Sequence, residues 1–435
     1  MTHIEVTCYA ERMKWIVLGA AIVMYGVIII FPDRKSFAAL GAAVIMLLLR
    51  AVSPLRALEL VNWNILMIFV GSLIIAELFI YSRVPAVIAD SIVIHAPSIG
   101  FAITAILVMT GIISAFVENV ATVLVMAPIA LAFCEKLKLN PRMFMVGLAV
   151  MANLQGTATL VGDPPSMIFA DFAKYSFNDF FLYRGKPSIF FAVQAGMIAG
   201  ALFFYFFFAK AGREKASIEK EKILAIVPSV LLILMIVGLA AFSFLFNGLT
   251  LASGFLVMAL GIFGLLWYWL IRKEGTAKVR KLIQELDWDT VLFLAGIFVV
   301  VGAIAQAGLL DDLTVVLFAL AGGNVLAGFL MILTVSVLIS GFVDNVPYII
   351  VMLPVATKLA TQLDIQPELY MFALLIGSCM GGNLTPFGAS ANIVSAGILR
   401  KQGVLMNFGQ WLKIGVPFTL ITTGVSAAFI WLIWR

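Results

Sequence analysis

Histidine, cysteine and charged residues are all scarce in this chain. Two histidines, His3 and His95, argue against a metal centre built from histidine ligands. Three cysteines, Cys8, Cys134 and Cys379, are too scattered to suggest a disulfide framework. The sequence has no G-x-x-x-x-G-K-[ST] motif, so an ATP-driven pump would need a partner chain to supply the ATPase.

Charged residues make up only 12% of the 435 positions, whereas 63% are hydrophobic. Uncharged apolar runs recur along the whole chain, each near the roughly 20 residues that cross a bilayer. This pattern predicts an all-α polytopic protein of the plasma (inner) membrane, with the lipid bilayer as its main partner. The first run, 15–31, lacks a small-residue cleavage site and is interpreted as a retained span after an N-terminal tail, 1–14. The net charge of +5 then reflects cytoplasmic loops, and no nucleic-acid partner is expected.

The chain contains two copies of one unit. The segments SAFVENVATVLVMAP and SGFVDNVPYIIVMLP begin at residues 114 and 340, an offset of 226, and match at 8 of 15 positions. The same offset relates GTATLVGDPPSMI (156–168) to GNLTPFGASANI (382–393), and an offset of 225 relates 62–74 to 287–299. Because chance similarity would not keep register over three blocks, an internal duplication is predicted.

Each half is predicted to cross the membrane an odd number of times, which makes the repeats inverted. The first repeat is 15–209, the linker 210–222 and the second repeat 223–435. Each contains about five transmembrane helices, one re-entrant hairpin and one broken helix. The hairpins are predicted at 99–117/120–134 and 324–343/346–357, from the shortness of their second arms.

The positive-inside rule orients the chain. Placing the basic segment 210–222 in the cytoplasm also places most other Lys and Arg there and leaves both termini outside. The segment TAKVRKLIQE (276–285) is then predicted to be a basic amphipathic helix on the cytoplasmic surface.

Helix-breaking residues interrupt one apolar segment in each half, 143–172 and 369–398. Non-helical backbone at membrane depth is tolerated where it is buried in protein or lines a cavity, and duplicated broken helices typically bind an ion or solute. Packing of small residues is the alternative explanation for a single such break. The predicted ion-binding residues in the breaks are Thr157, Thr159, Gly162, Asp163, Ser166, Asn383, Thr385 and Asn392.

Three acidic residues lie in the same predicted region, and no Lys or Arg lies in these blocks. An uncompensated acidic cluster at membrane depth binds a cation or carries protons. Asp163, Asp344 and Glu118 are therefore the candidate proton carriers, with capping of a helix end as the structural alternative. No cofactor is expected beyond a bound Na+ or H+, and no metal site.

These blocks resemble the ion-transporter superfamily, in the branch of the arsenite pumps, NhaD-type sodium–proton antiporters and the melanosomal P-protein. The resemblance covers nearly the whole chain. It implies a homodimer, and an ion site at the hairpin tips and unwound segments that includes Glu118, Asn119, Thr122, Asp344 and Asn345. One departure is Ser166, where the P-protein pattern has Asn.

The predicted function is secondary active transport: proton- or sodium-coupled exchange of a small inorganic ion, by Na+/H+ antiport or arsenite-type efflux. A sodium-coupled dicarboxylate or sulfate symporter is the alternative, although carboxylates at the hairpin tips would repel a dianion. An intramembrane aspartyl protease and a channel are weaker alternatives, because the acids pair with Asn or Pro and no pore motif is evident. The chain is not expected to be an enzyme.

Overall fold

The computed structural model describes residues 3–31, 34–209, 212, 221–245 and 251–435. Most of the predicted linker, 210–222, lies outside the described residues. So do residues 246–250, within the second repeat. Within these ranges the fold is helical, apart from one short antiparallel hairpin. In that hairpin β1 (Leu182–Tyr183) pairs with β2 (Lys186–Pro187), with Leu182 opposite Pro187.

In the described residues each half has ten α-helices, in the same order. The first half contains α1 (His3–Ile30), α2 (Lys35–Leu48), α3 (Pro54–Leu60), α4 (Trp63–Tyr81), α5 (Val84–His95), α6 (Ile99–Ser114), α7 (Asn119–Lys136), α8 (Arg142–Gly156), α9 (Pro164–Ala173) and α10 (Ile189–Phe207). The second contains α11 (Val227–Leu245), α12 (Ala252–Leu266), α13 (Thr276–Glu285), α14 (Trp288–Gln306), α15 (Leu309–Ala321), α16 (Val325–Ser340), α17 (Asn345–Gln362), α18 (Pro367–Gly381), α19 (Ser390–Lys401) and α20 (Phe408–Trp434).

Eight of the described helices are long and apolar enough to cross a membrane. They are α1, α4, α7, α10, α11, α12, α14 and α20, where α12 continues through a π-helical segment to Ile271. The predicted fold class, an all-α polytopic membrane protein of two inverted repeats, is confirmed. Each repeat also contains additional short helices, α3 and α5 in the first half and α13 and α15 in the second. The sequence predicted only α13 among these four.

The helix breaks occur where the sequence placed them. α8 ends at Gly156 and α9 begins at Pro164, while α18 ends at Gly381 and α19 begins at Ser390 after a single 3-10 turn, Gly382–Leu384. Pro164 and Pro165 occupy the first positions of α9, where proline needs no N–H partner, so they start the second helix of the pair.

The second arms of the paired segments are longer than predicted. α7 and α17 each have 18 residues, and Pro128 and Pro354 lie inside them without ending them. Each arm is thus about 27 Å long. α17 continues to Gln362, past the predicted limit at residue 357. The predicted shortness of the second arms is therefore wrong, and the re-entrant geometry stays a prediction.

Helices of one half pack against helices of the other half in two equivalent places. α4 packs against α12 of the other half, and α14 packs against α2. Glycine allows both close crossings: a Cβ on Gly71 would lie 2.7 Å from the Val257 carbonyl carbon, and one on Gly296 would lie 2.7 Å from that of Ala39. Gly71 and Gly296 are repeat mates, so the same small-residue contact occurs twice.

The core lies around α8 and α18. Every residue of α8 from Phe144 onwards is buried, and so is every residue of α18 after Pro367. Across the halves, α7 packs on α19 and α17 packs on α9. Each hairpin tip therefore lies against the broken helix of the opposite repeat.

We expect Gly71→Ala and Gly296→Ala each to lower the free energy of unfolding by about 1–3 kcal/mol, because the added methyl meets backbone that cannot rotate away. Gly41→Ala, on the exposed face of α2 with no atom within 4 Å of the new methyl, is the matched control and should be neutral or slightly stabilising. Unfolding of purified protein in detergent measures all three. Equal midpoints for Gly296→Ala and Gly41→Ala would contradict the close-crossing explanation.

Candidate ion-binding site

The N-termini of six helices meet at one small cavity of about 30 Å³. Residues from the starts of α2, α7, α9, α14, α17 and α19 line it, together with one residue each from α4 and α8. The lining residues are Lys35, Phe69, Glu118, Asn119, Asn153, Asp163, Pro164, Asp287, Thr290, Asp344, Asn345, Val346, Ala389, Ser390 and Ala391. A cavity of this size holds a water molecule or a bare ion.

Three of the four carboxylates at the cavity cap helix ends. Glu118 accepts a hydrogen bond from the Ala121 amide at 2.9 Å. Asp344 accepts one from the Val346 amide at 3.0 Å, and Asp287 accepts one from the Thr290 amide at 3.0 Å. Each helix start presents unpaired N–H groups and a partial positive charge, so these acids satisfy the backbone as well as adding charge.

Asp163 differs from these three acids. It precedes α9 with φ −154° and ψ 147°, yet its side chain caps no amide of that helix. Its repeat mate Ala389 precedes α19 with φ −147° and ψ 151°. Because alanine adopts the same backbone conformation at the equivalent place, the fold does not require a carboxylate at residue 163. The Asp163 carboxylate is buried, and the Asn119 side chain is its hydrogen-bond partner.

Lys35 is a cavity-lining side chain that the sequence analysis did not single out. Its Nζ lies 3.4 Å from Asp344 Oδ2, and the two side chains are only 12% and 21% exposed. The same Nζ lies 5.5 Å from the centroid of the Phe293 ring. The expectation of an uncompensated acidic cluster is therefore wrong, because a cation from distant α2 reaches it.

Hydrogen bonds that the two halves share identify the repeat mate of Lys35. Ser36 donates to Asp289, and Ser253 donates to Asn64, the repeat mate of Asp289. Ser36 and Ser253 are thus equivalent, at an offset of 217 that differs from the 225–226 found elsewhere. Lys35 consequently corresponds to Ala252, and the lysine is present in one half only.

Asn153 joins the two broken helices. Its Nδ2 donates to Asn383 Oδ1 at 2.9 Å and to Asn392 Oδ1 at 2.8 Å, while its Oδ1 accepts from Asn119 Nδ2 at 3.5 Å. The sequence did not single out Asn153, since it lies inside regular α8 and its repeat mate is Cys379. Only the packing of α8 between the breaks reveals its role.

Hydroxyl groups stabilise the two breaks in equivalent ways. The Thr159 hydroxyl donates to the Ala115 carbonyl, and its repeat mate Thr385 donates to the Gly341 carbonyl at 2.5 Å. Ser166 donates to the Gly156 carbonyl at 3.3 Å. These groups satisfy backbone that would otherwise be left unpaired in the membrane.

Five of the predicted site residues line the cavity: Glu118, Asn119, Asp163, Asp344 and Asn345. The other eight do not contribute to its lining: Thr122, Thr157, Thr159, Gly162, Ser166, Asn383, Thr385 and Asn392. Thr122 and Thr157 donate to the Val117 and Asn153 carbonyls. A Cβ on Gly162 would lie 2.5 Å from the Gly156 carbonyl oxygen. Ion binding by any predicted residue stays a prediction.

Comparison with known proteins places the chain in a family. A family model described as "Citrate transporter" (CitMHS) matches residues 25–377 and 307–435. The chain belongs to the citrate transporter family. It is a membrane transporter and not an enzyme, and the predicted resemblance to the arsenite-pump, NhaD and P-protein branch is confirmed.

Named relatives of this CitMHS transporter span most of its length. An uncharacterized transporter of Mycobacterium tuberculosis is 32% identical over 386 residues, 86% of each chain. The 46 kDa membrane protein of Mycobacterium leprae is 29% identical over 97% of this chain and 99% of its own. Human P protein is 25% identical over 74% of this chain and 47% of its own.

Two solved structures share the fold. The YdaH transporter of Alcanivorax borkumensis superposes with a TM-score of 0.58 at 14% identity, covering 89% of this chain and 87% of its own. Neisseria gonorrhoeae MtrF, described as illuminating a class of antimetabolite efflux pumps, gives 0.54 at 16% identity, covering 89% and 83%. At these identities the likeness concerns the fold alone.

A double-mutant cycle between Lys35→Gln and Asp344→Asn tests whether the ion pair connects the start of α2 to the hairpin tip before α17. We expect a coupling free energy of about 1–3 kcal/mol, because removing one partner leaves a largely buried charge alone. The exposed pair Arg56–Glu59, at 2.8 Å, is the control and should couple by less than about 0.5 kcal/mol. Denaturant unfolding measures both cycles, and equal couplings would contradict the assignment.

Proposed function

We propose that this CitMHS transporter is a secondary active transporter that exchanges protons, or sodium ions, for a small inorganic ion. Na+/H+ antiport and arsenite-type metalloid efflux are the two forms considered. The observation that carries the proposal is the carboxylate of Asp163. It is buried at the cavity and caps no helix, and alanine occupies the equivalent position, 389, in the other half.

The charge at the cavity favours a cation. Glu118, Asp163, Asp287 and Asp344 supply four carboxylates, and Lys35 supplies one ammonium group. The six helix N-termini offset part of this negative charge. With three acids engaged as caps, Asp163 is the group that would bind a proton or a metal cation in turn. Competition between the two at one carboxylate is the elementary requirement of exchange.

The position of the cavity supports alternating access. Lys35, Asp287 and Thr290 come from α2 and α14, which pack on each other, whereas Asp163 and Asp344 come from the broken helix and the hairpin. Movement of the broken helix and the hairpin against α2 and α14 would open the cavity to one side of the membrane at a time. The Lys35–Asp344 ion pair would then break and reform during each cycle.

A sodium-coupled anion symporter is the second candidate. The description of the family, together with Lys35 and the helix N-termini, favours an anion such as citrate, another carboxylate or sulfate. A tricarboxylate could not enter a 30 Å³ cavity without a large opening of the site. This candidate therefore requires that the anion bind in a different conformation.

Transport by purified protein in proteoliposomes, with a trapped pH dye and an imposed pH gradient, tests the proposal. Na+, Li+, arsenite, sulfate and citrate are added in turn. We expect Na+, Li+ or arsenite to trigger a proton flux that falls at least tenfold in Asp163→Asn, because the amide cannot carry the proton. Asp171→Asn, on the same helix but paired with Lys174 at 3.6 Å, should transport like the unchanged protein.

Stability separates loss of function from loss of fold. Since alanine serves at residue 389 and the Asp163 side chain caps no helix amide, the near-isosteric Asp163→Asn should unfold within about 1 kcal/mol of the unchanged protein. Sodium-dependent accumulation of labelled citrate or sulfate, with no proton response to any cation or to arsenite, would overturn exchange in favour of the symporter.

We also propose the predicted setting: a homodimer in the plasma (inner) membrane with both termini non-cytoplasmic. The distribution of Lys and Arg supports the orientation, and the resemblance to the superfamily supports the dimer. A single cysteine introduced at the C-terminus of a variant without native cysteines should react with an impermeant maleimide added outside whole cells. Reaction only after permeabilisation would contradict the orientation.

A further inference from the structure

A groove of about 400 Å³ lies between the end of α12 and the amphipathic helix α13. Trp269, Val279 and Ile283 form its apolar wall, and Thr276, Arg280 and Gln284 contribute the polar groups. α13 connects two membrane-crossing helices, Ala252–Ile271 and Trp288–Gln306. The groove must therefore lie at the membrane surface, where lipid headgroups and the upper part of the acyl chains meet.

Arg280 is the charged group that this groove leaves unsatisfied. Lys278 pairs with Glu274 at 2.6 Å, and Lys281 pairs with Glu285 at 3.6 Å. The Lys278 ammonium also holds the pKa of the Glu274 carboxyl below its usual value, which keeps that pair ionised. Within the described part of the chain, the exposed guanidinium of Arg280 has no acidic partner.

The equivalent helix of the first half provides an internal comparison. Trp63, the first residue of α4, donates its Nε1–H to the Leu58 carbonyl of α3 at 3.2 Å, and its mate Trp288, the first residue of α14, donates to the Ile283 carbonyl of α13 at 2.7 Å. The two helices are thus anchored alike. In α3 the acid Glu59 pairs with Arg56, whereas the residue corresponding to Glu59 in α13 is Gln284. At the same offset Arg280 corresponds to Leu55, so the second half has a cation at this groove where the first half has an apolar residue.

We propose that this groove binds one anionic phospholipid. The Arg280 guanidinium would hold the headgroup phosphate, with Thr276 and Gln284 as additional hydrogen-bond donors. Trp269, Val279 and Ile283 would contact the glycerol and the first part of an acyl chain, in the setting that tryptophan prefers at a membrane interface. Charge complementarity selects an anionic over a zwitterionic lipid, and the apolar wall selects a lipid over a free phosphate.

Native mass spectrometry of the purified full-length protein tests the proposal with phosphatidylglycerol, phosphatidylcholine and glycerol phosphate. We expect phosphatidylglycerol to be retained in preference to phosphatidylcholine, and glycerol phosphate not to displace it at the same concentration. Arg280→Gln should weaken phosphatidylglycerol binding about fivefold, the effect of one basic residue near an anionic surface. Arg280→Lys should retain most of the binding.

Arg56→Gln is the matched control, because it removes an arginine from the equivalent helix where that arginine is already paired. It should bind both lipids like the unchanged protein. Ile283→Gln provides a second test that leaves Arg280 in place, and it should also weaken phosphatidylglycerol binding. Equal retention of the two lipids by the unchanged protein, equal losses in Arg280→Gln and Arg56→Gln, or displacement of the lipid by glycerol phosphate would overturn the proposal.

Discussion

A helix that ends inside a membrane leaves backbone N–H and C=O groups with no water to pair them, and this constraint governs the centre of the molecule. Six helices begin at one cavity. Glu118, Asp344 and Asp287 satisfy three of these starts, while the hydroxyls of Thr159 and Thr385 bind the carbonyls before the hairpin tips. The repeated geometry of the two breaks and the acidic character of the cavity thus have the same physical origin.

Comparison of repeat mates distinguishes residues that the fold requires in both halves from residues present in one half only. Contacts that occur in both halves, such as those of Gly71 and Gly296, hold the fold together. Some polar lining residues have small or apolar mates: Asp163 corresponds to Ala389, Lys35 to Ala252 and Asn153 to Cys379. Since the fold forms with the small or apolar member of each pair, the repeated architecture does not by itself require the polar member. A duplicated chain provides this comparison without any relative.

The family description and the cavity point to different ligands, and physical chemistry explains how both can apply to one scaffold. Helix N-termini and Lys35 attract anions, while the four carboxylates attract cations and protons. Which charge prevails depends on the protonation of Asp163 and on whether Lys35 remains paired with Asp344. A small change in these two groups would therefore alter the selectivity of a common architecture.

The sequence alone determined the membrane class, the duplication, the two breaks and the acids at the hairpin tips. These features depend on composition and on residues close together in the chain, which periodicity and alignment can detect. Only the tertiary structure revealed Lys35, Asp287 and Asn153 at the cavity. Lys35 lies 309 positions from Asp344, on a helix whose repeat offset differs from that of its neighbours. Contacts of this kind arise from the packing of α2 on α14, and no local pattern encodes which side chains such packing brings together.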